Sequence, residues 1–260
     1  FTAADSNTFR DVYLFDQQTR TLTAISYPPG SSIVPNGASD QATISGDAAK
    51  IAFRSRATNL DTVDNDTLTD IFLAELPDPA QPSNRSLSLV STSAAGVKGD
   101  GDSRQPDLSR DGSTLAFASL AQNLVQSDNN PLEDVFVRTL SMSPTMEVVS
   151  VQTGGAAAIG RSFQPALSAD GQIVAFTSGA DTLSSLDADT LDDVYLHDRG
   201  TGTTSPVSLN GGGTATGDQI SNSPAISDDG TRVAFVSASS GIGQTLNTGG
   251  LRQVYVRDLT

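Results

Sequence analysis

A seven-residue pattern, acidic at both ends and followed at once by a short apolar strand, recurs along this chain at nearly constant spacing. Asp5 to Asp11 precedes Val12-Tyr13-Leu14, Asp64 to Asp70 precedes Ile71-Phe72-Leu73, Asp128 to Asp134 precedes Val135-Phe136-Val137, and Asp187 to Asp193 precedes Val194-Tyr195-Leu196. A worn fifth copy, Asn247 to Gln253, precedes Val254-Tyr255-Val256. The copies start 59, 64, 59 and 60 residues apart. Self-similarity at such a period is the mark of a repeat architecture, in which each unit buries its apolar faces only against its neighbours.

The rest of each unit keeps the same phase. Upstream of the full motifs lie Ile44-Ser45-Gly46-Asp47, Leu108-Ser109-Arg110-Asp111-Gly112, Leu167-Ser168-Ala169-Asp170-Gly171 and Ile226-Ser227-Asp228-Asp229-Gly230. Each leads into a strand ending in Ala-Phe, at Phe53, Phe117, Phe176 and Phe235. Asp-Gly between two apolar runs is a hairpin signal, because glycine accepts the positive φ of the turn. A further strand follows each motif, at Thr21–Ile25, Leu87–Val90, Glu147–Val151 and Ser205–Leu209. The unit is therefore four short strands: a before the Asp-Gly turn, b with the phenylalanine, c after the acidic loop, and d. The phenylalanines recur at one phase, which predicts core packing between neighbouring units.

Four short antiparallel strands at this period predict an all-β fold, a β-propeller of four-stranded blades with about five blade positions and incomplete terminal repeats. The alternative is a segment of a larger propeller or of a tandem array. The chain reads as a single domain over 1–260, with a partial repeat over 1–30, repeats over about 31–96, 97–155 and 156–213, and an incomplete repeat over 214–260. The first repeat supplies strands c and d and the last supplies a, b and c. Strand c is then present twice, so one mixed blade does not close a ring cleanly.

The run Ser-x-Asp-Gly, then the Ala-Phe strand, then a polar loop, then Asp134-Val135-Phe136-Val137-Arg138, resembles the TolB-like propeller repeat. It is most similar to the variant of secreted bacterial proteins, in which Asn-Leu opens the b–c loop, as at Asn59-Leu60 and Asn123-Leu124, with Thr182-Leu183 in the third copy. The resemblance implies a fold. It does not imply one function, because such propellers act as scaffolds, as binding modules and as accessory domains of enzymes.

Composition narrows the setting. The formal net charge is −15 with a pI near 4.2, which argues against nucleic acid as a partner, since phosphate binding needs clustered Lys and Arg. There is no cysteine, hence no disulfide framework and no thiolate metal site. No apolar run has the length of a membrane span. Few charged residues overall, with abundant Ser, Thr, Gly and Asn, point to a secreted, cell-surface or periplasmic bacterial protein.

Catalytic motifs are missing. No Gly-x-Ser-x-Gly elbow, His-Glu-x-x-His pair, Walker loop or dinucleotide fingerprint is present. The one histidine, His197, occupies a position filled elsewhere by Phe15, Ala74, Arg138 and Arg257, which predicts a structural role. The chain is therefore read as non-catalytic: a structural or interaction propeller that associates with itself through its terminal strands. The other readings are a propeller that binds a carbohydrate or peptide, and the accessory propeller of a secreted hydrolase.

The acidic loops are the chemical feature above background. Calcium takes six to eight oxygen ligands. Positions 1, 3 and 7 of the loops supply Asp64, Asp66 and Asp70; Asp187, Asp189 and Asp193; Asp128, Asn130 and Asp134; and Asp5, Asn7 and Asp11. The first two sets carry three carboxylates and are the expected calcium loops, with Asp64, Asp66 and Asp70 foremost. The other two have Asn at the third position and bind more weakly, the one at Asp128 being stiffened by Pro131. The worn copy, with Asn247, Gly249 and Gln253, binds nothing. The competing reading is that Asp and Asn at these points form Asx-turns with the local backbone.

Overall fold

The computed structural model describes residues 7–31, 33–128, 130–242 and 250–260. Asp5, Asn247 and Gly249 fall outside them. Seventeen strands form five antiparallel sheets. The first sheet pairs β1 (Tyr13–Asp16) with β2 (Thr21–Ala24). The second is the meander β3 (Ser39–Ile44), β4 (Lys50–Ser55), β5 (Asp70–Glu75) and β6 (Ser86–Leu89). The third runs β7 (Ser103–Leu108), β8 (Thr114–Ser119), β9 (Asp134–Thr139) and β10 (Met146–Val148). The fourth runs β11 (Ser162–Leu167), β12 (Ile173–Ser178), β13 (Asp193–Asp198) and β14 (Thr203–Pro206). The fifth holds β15 (Ser221–Ile226), β16 (Arg232–Ser237) and β17 (Gln253–Asp258). Each sheet is one blade, and the fold is a β-propeller of about five blades. The first strands of the last four blades line a central cavity of about 490 Å³.

Successive blades bury one face each against the next. On strand c, alternate residues point to opposite sides of the sheet. Ile71 and Leu73 pack forward onto Leu115, Phe117 and Phe136, whereas Phe72 and Ala74 pack back onto Val12 and Ile25. The same division places Val135 and Val137 against Phe176 and Tyr195, and Val194 against Phe235. Within each blade the b-strand phenylalanine stacks on its cross-strand partner in c: Phe53 on Phe72, Phe117 on Phe136, Phe176 on Tyr195 and Phe235 on Tyr255, with ring centroids 5.9–6.0 Å apart. All four phenylalanines are buried as their phase requires. Burying each such ring contributes on the order of 2–3 kcal/mol.

The Ser-x-Asp-Gly turn has a chemical explanation. Ser45, Ser109, Ser168 and Ser227 each donate to the Asp two residues on, at 2.5–2.7 Å. Each serine also accepts the backbone N–H that opens strand b, at Lys50, Thr114, Ile173 and Arg232, all at 3.0 Å. The residue after the Asp lies in the left-handed region: Gly112, Gly171 and Gly230 at φ +67° to +69°, but Ala48 at +58°.

Strand d departs from the sequence reading. In the third and fourth blades it starts earlier and ends sooner than expected, at Val148 and Pro206. The next residues curl inward, and a serine there turns back to grip strand c. Ser26, Ser91, Ser150 and Ser208 accept the N–H of Val12, Ile71, Val135 and Val194 at 2.9–3.1 Å. A ladder that continued would leave this grip unmade.

The odd residue at the first turn gives a direct test. Ala48→Gly removes a Cβ from a left-handed position and should raise unfolding stability by about 0.5–1 kcal/mol in a urea melt. Gly171→Ala should lower it, because the added Cβ comes 2.5 Å from Thr114 Cβ and must displace it.

Candidate functional site

Each acidic loop ends in an aspartate that is held by the curled serine. Ser26, Ser91, Ser150 and Ser208 donate to Asp11, Asp70, Asp134 and Asp193 at 2.8, 2.7, 2.6 and 2.6 Å. One carboxylate oxygen, Oδ1, is thereby satisfied in each of the first four blades. The other, Oδ2, faces into the loop, and the four loops differ in what meets it.

In the first loop Asn7 Nδ2 donates to Asp11 Oδ2 at 3.3 Å, and Tyr27 Oη donates to the same oxygen at 3.4 Å. In the third, Asn130 Nδ2 donates to Asp134 Oδ2 at 2.9 Å. Here Asn130 also accepts from the Leu132 N–H at 2.8 Å and donates its own N–H to Asp128 at 3.2 Å. These two loops are Asx-turns closed by an amide nitrogen. An amide aimed at the carboxylate is the reverse of an oxygen cage for a cation.

The second loop brings Asp64, Asp66 and Asp70 together, and a cation of the chain already lies among them. Lys98 Nζ sits 2.8 Å from Asp70, 3.0 Å from Asp66 and 3.8 Å from Asp64. Lys98 is one of only two lysines in the chain. It pairs with Thr92 in the connection that leads from β6 toward β7, about thirty residues from the acids, so no local spacing announces it. The ammonium lies at the place expected of calcium in the loop that the sequence put foremost. Burial, with the neighbouring Asp70 adding to it, pushes Asp64 up to about 6, partly offset by Lys98.

The fourth loop brings Asp187, Asp189 and Asp193 together, with one carboxylate oxygen from each within 4.8 Å of the others. The residue equivalent to Lys98 is Thr216, by its pairing with Leu209. Its hydroxyl donates to Asp187 at 3.4 Å and lies close enough to Asp193 to oppose the rise of that carboxyl's pKa. Tyr195 Oη donates to the other Asp187 oxygen at 2.5 Å. Asp193 is fully buried, and among the described residues its Oδ2 has no hydrogen-bond partner and no ion pair. Burial pushes the Asp193 carboxyl up to about 7, with the Asp187 and Asp189 charges adding to the shift and Ser208 opposing it. The acidic triads of the second and fourth loops are thus both geometrically able to hold a cation, and only the second carries its own.

His197 is buried, and its Nδ1 donates to Thr204 Oγ1 at 2.8 Å, since that hydroxyl itself donates to Val151 O at 2.5 Å. Burial pushes its pKa down. The equivalent Arg138 donates to Thr92 O at 2.8 Å, and Arg257 donates to Leu209 O. Arg138 and Arg257 thus reach the preceding blade directly, whereas His197 reaches it only through Thr204 of its own blade. These partners are not visible in the sequence around the three residues.

No protein-family model matches the chain, and no curated protein matches it. Solved structures do. The chain is similar to TolB from Acinetobacter baumannii at 15% identity and a TM-score of 0.53, over 95% of this chain and 46% of that one. It is similar to a putative TolB from Agrobacterium tumefaciens at 15% identity and a TM-score of 0.54, over 98% of this chain and 71% of that one. It thus spans a little under half the length of the first. An oligogalacturonate lyase in complex with manganese matches at 11% identity over 96% of this chain and 72% of that one, with a TM-score of 0.43, too low to carry an argument. The fold is TolB-like.

The Lys98 ion pairs give a stability test with a sign. Lys98→Met leaves two buried carboxylates without their cation and should destabilise the protein by about 3–5 kcal/mol. Asp64 has a folded pKa above its unfolded value, so its contribution is present in full below about 4 and is lost as pH rises through about 6. Removing Lys98 removes the group that opposes this shift. The loss measured in guanidinium melts should accordingly be larger at pH 8 than at pH 5.

Proposed function

We propose that this chain is a non-catalytic structural and interaction propeller, exported from the bacterial cytoplasm, that associates with a second copy of itself through the forward face of its last blade. One observation carries the reading. Val254 and Val256 on β17 are 73% and 65% exposed, whereas Ile71, Val135 and Val194, which match Val254, are fully buried. Leu251, just before β17, is also 68% exposed. Contiguous exposed apolar surface of this kind marks an interaction site.

The occupant follows from the interface that the molecule already repeats. Forward faces of this composition are covered, blade after blade, by the backward face of the next. A second copy offers such a backward face on its first blade, where Phe15 is 53% exposed at a position matching the fully buried Ala74. Head-to-tail stacking is a heterologous contact and generates rings or filaments according to its rotation. The composition supports export, with no cysteine and two lysines in the whole chain. Calcium belongs to this reading as a structural ion of the acidic loops, where it holds carboxylates and transforms nothing.

Light scattering coupled to size exclusion tests the association. The chain should run as a dimer or larger species whose mass grows with concentration. Val256→Asp and Phe15→Asp, both at exposed positions, should each return it to a monomer. A wild-type chain that stays monomeric at the highest attainable concentration overturns the reading.

A further inference from the structure

We infer that the fourth acidic loop, alone among the four, is a calcium site, formed by Asp187, Asp189 and Asp193 with the Thr216 hydroxyl beside them, and that Lys98 is a built-in substitute for that ion in the second loop. The inference rests on the calcium part of the proposed function and is independent of self-association.

The argument is a comparison of one site with its own repeats. Every loop presents the same buried carboxylate oxygen to the same point. Asn7 supplies an amide to it in the first loop and Asn130 in the third, and Lys98 brings an ammonium to it in the second. Only in the fourth, among the described residues, does no amide or ammonium reach it; Oδ2 makes no hydrogen bond there, the Thr216 hydroxyl alone lying nearby, although Asp193 is fully buried and Asp187 nearly so. A buried carboxylate oxygen without a partner costs several kcal/mol in a protein interior. Lys98 shows what resolves that cost in this fold, since a positive charge seated there sits within 4 Å of all three acids. Replacing the lysine by Thr216 removes the charge and substitutes a neutral oxygen, which is itself a metal ligand.

The donors select the ion. All are oxygens, and no histidine or cysteine lies among them, which disfavours zinc. Their mutual spacing within 4.8 Å suits an ion about 2.3–2.6 Å from each. Asp189 is partly exposed, so water can complete the six to eight ligands that calcium takes. Magnesium demands near-ideal octahedral geometry and holds its waters, which an irregular loop with a Tyr195-bound Asp187 oxygen does not match.

The full chain, freed of metal with chelator, should bind one calcium per molecule in a calorimetric titration, and its melting temperature should rise with calcium concentration. Terbium, as a luminescent stand-in, should be sensitised by Tyr195, whose hydroxyl touches Asp187. Thr216→Lys transfers the arrangement of the second loop to the fourth. It should abolish calcium binding and the terbium signal, and raise the melting temperature in chelator above that of the wild type. Should that variant not fold, Asp189→Asn, which keeps an oxygen to accept the Leu191 N–H, should leave the melting temperature in chelator unchanged while weakening calcium by at least about tenfold, the loss typical even of supporting groups around a metal. The inference is overturned by a wild-type chain with no calcium-dependent melting shift at millimolar concentration, by a magnesium response that equals the calcium response, or by a folded Thr216→Lys variant that still binds calcium. Each of these outcomes leaves the association measurement untouched.

Discussion

The structure depends on keeping a buried or half-buried carboxylate satisfied at the start of strand c in each of the first four blades. Asp11, Asp70, Asp134 and Asp193 each sit where the b–c loop enters the sheet. Each is locked by a serine that also accepts the backbone N–H of the following residue. The serine comes from the end of strand d, so this one contact closes the outer half of the blade. It also fixes which residues of strand c point forward and which point back, because a one-residue slip would exchange the faces. The apolar packing between blades follows from that register. The same lock leaves one oxygen of each carboxylate facing inward, and the blades resolve this second demand in different ways. The fold is thus uniform where the backbone is concerned and diverse where the charge is concerned.

That division explains what could be read from the residues alone. The period, the four strands per blade, the Asp-Gly hairpins and the inter-blade phenylalanines were legible, because each is a local pattern of apolar phase or turn chemistry. The acidic loops were legible as places where oxygen ligands gather. Lys98 was not, since it arrives from the connection after β6 and nothing in the sequence near Asp64 points to it. The same holds for Thr216 and for Tyr195 over Asp187. The curled serines were also overlooked, because Ser91, Ser150 and Ser208 look like strand residues until the strand is seen to end before them. A count of acids therefore put the second and fourth loops together, with the second foremost, whereas the partner across the connection is what separates them.

The interior of the ring shows a second device that pattern reasoning does not reveal. Gln41, Gln105, Gln164 and Ser223 lie at bulges in the first strand of their blades, each with φ between +51° and +56°. A side-chain-bearing residue in this region is strained, and it persists only where the surroundings over-determine it. Here the surroundings are the neighbouring blades. Gln41 accepts the N–H of Gln105 at 2.9 Å, Gln105 that of Gln164 at 3.0 Å, and Gln164 that of Ser223 at 3.0 Å. At the last three bulges the backbone N–H is capped by the glutamine of the preceding blade.

This rail changes what holds one blade to the next. Apolar packing between flat sheets is non-directional and tolerates sliding. A line of hydrogen bonds from glutamine to bulge does not, because moving one blade along its neighbour by a residue would leave both the donor and the strained backbone without compensation. Asp107 reinforces it, accepting from Leu167 N–H at 2.8 Å and from Thr43 Oγ1 at 3.4 Å, so that one carboxylate spans three blades. Burial pushes its pKa up, with the Leu167 bond opposing the shift. The fifth blade receives from the rail at Ser223 and has no glutamine of its own to pass it on. Its neighbour-facing surface therefore keeps the apolar part of the inter-blade interface, in Val254 and Val256, without the part that sets register. Were a second copy to stack there as proposed, area and shape alone would hold it, and the contact would be weaker and more easily reversed than those between blades within the chain.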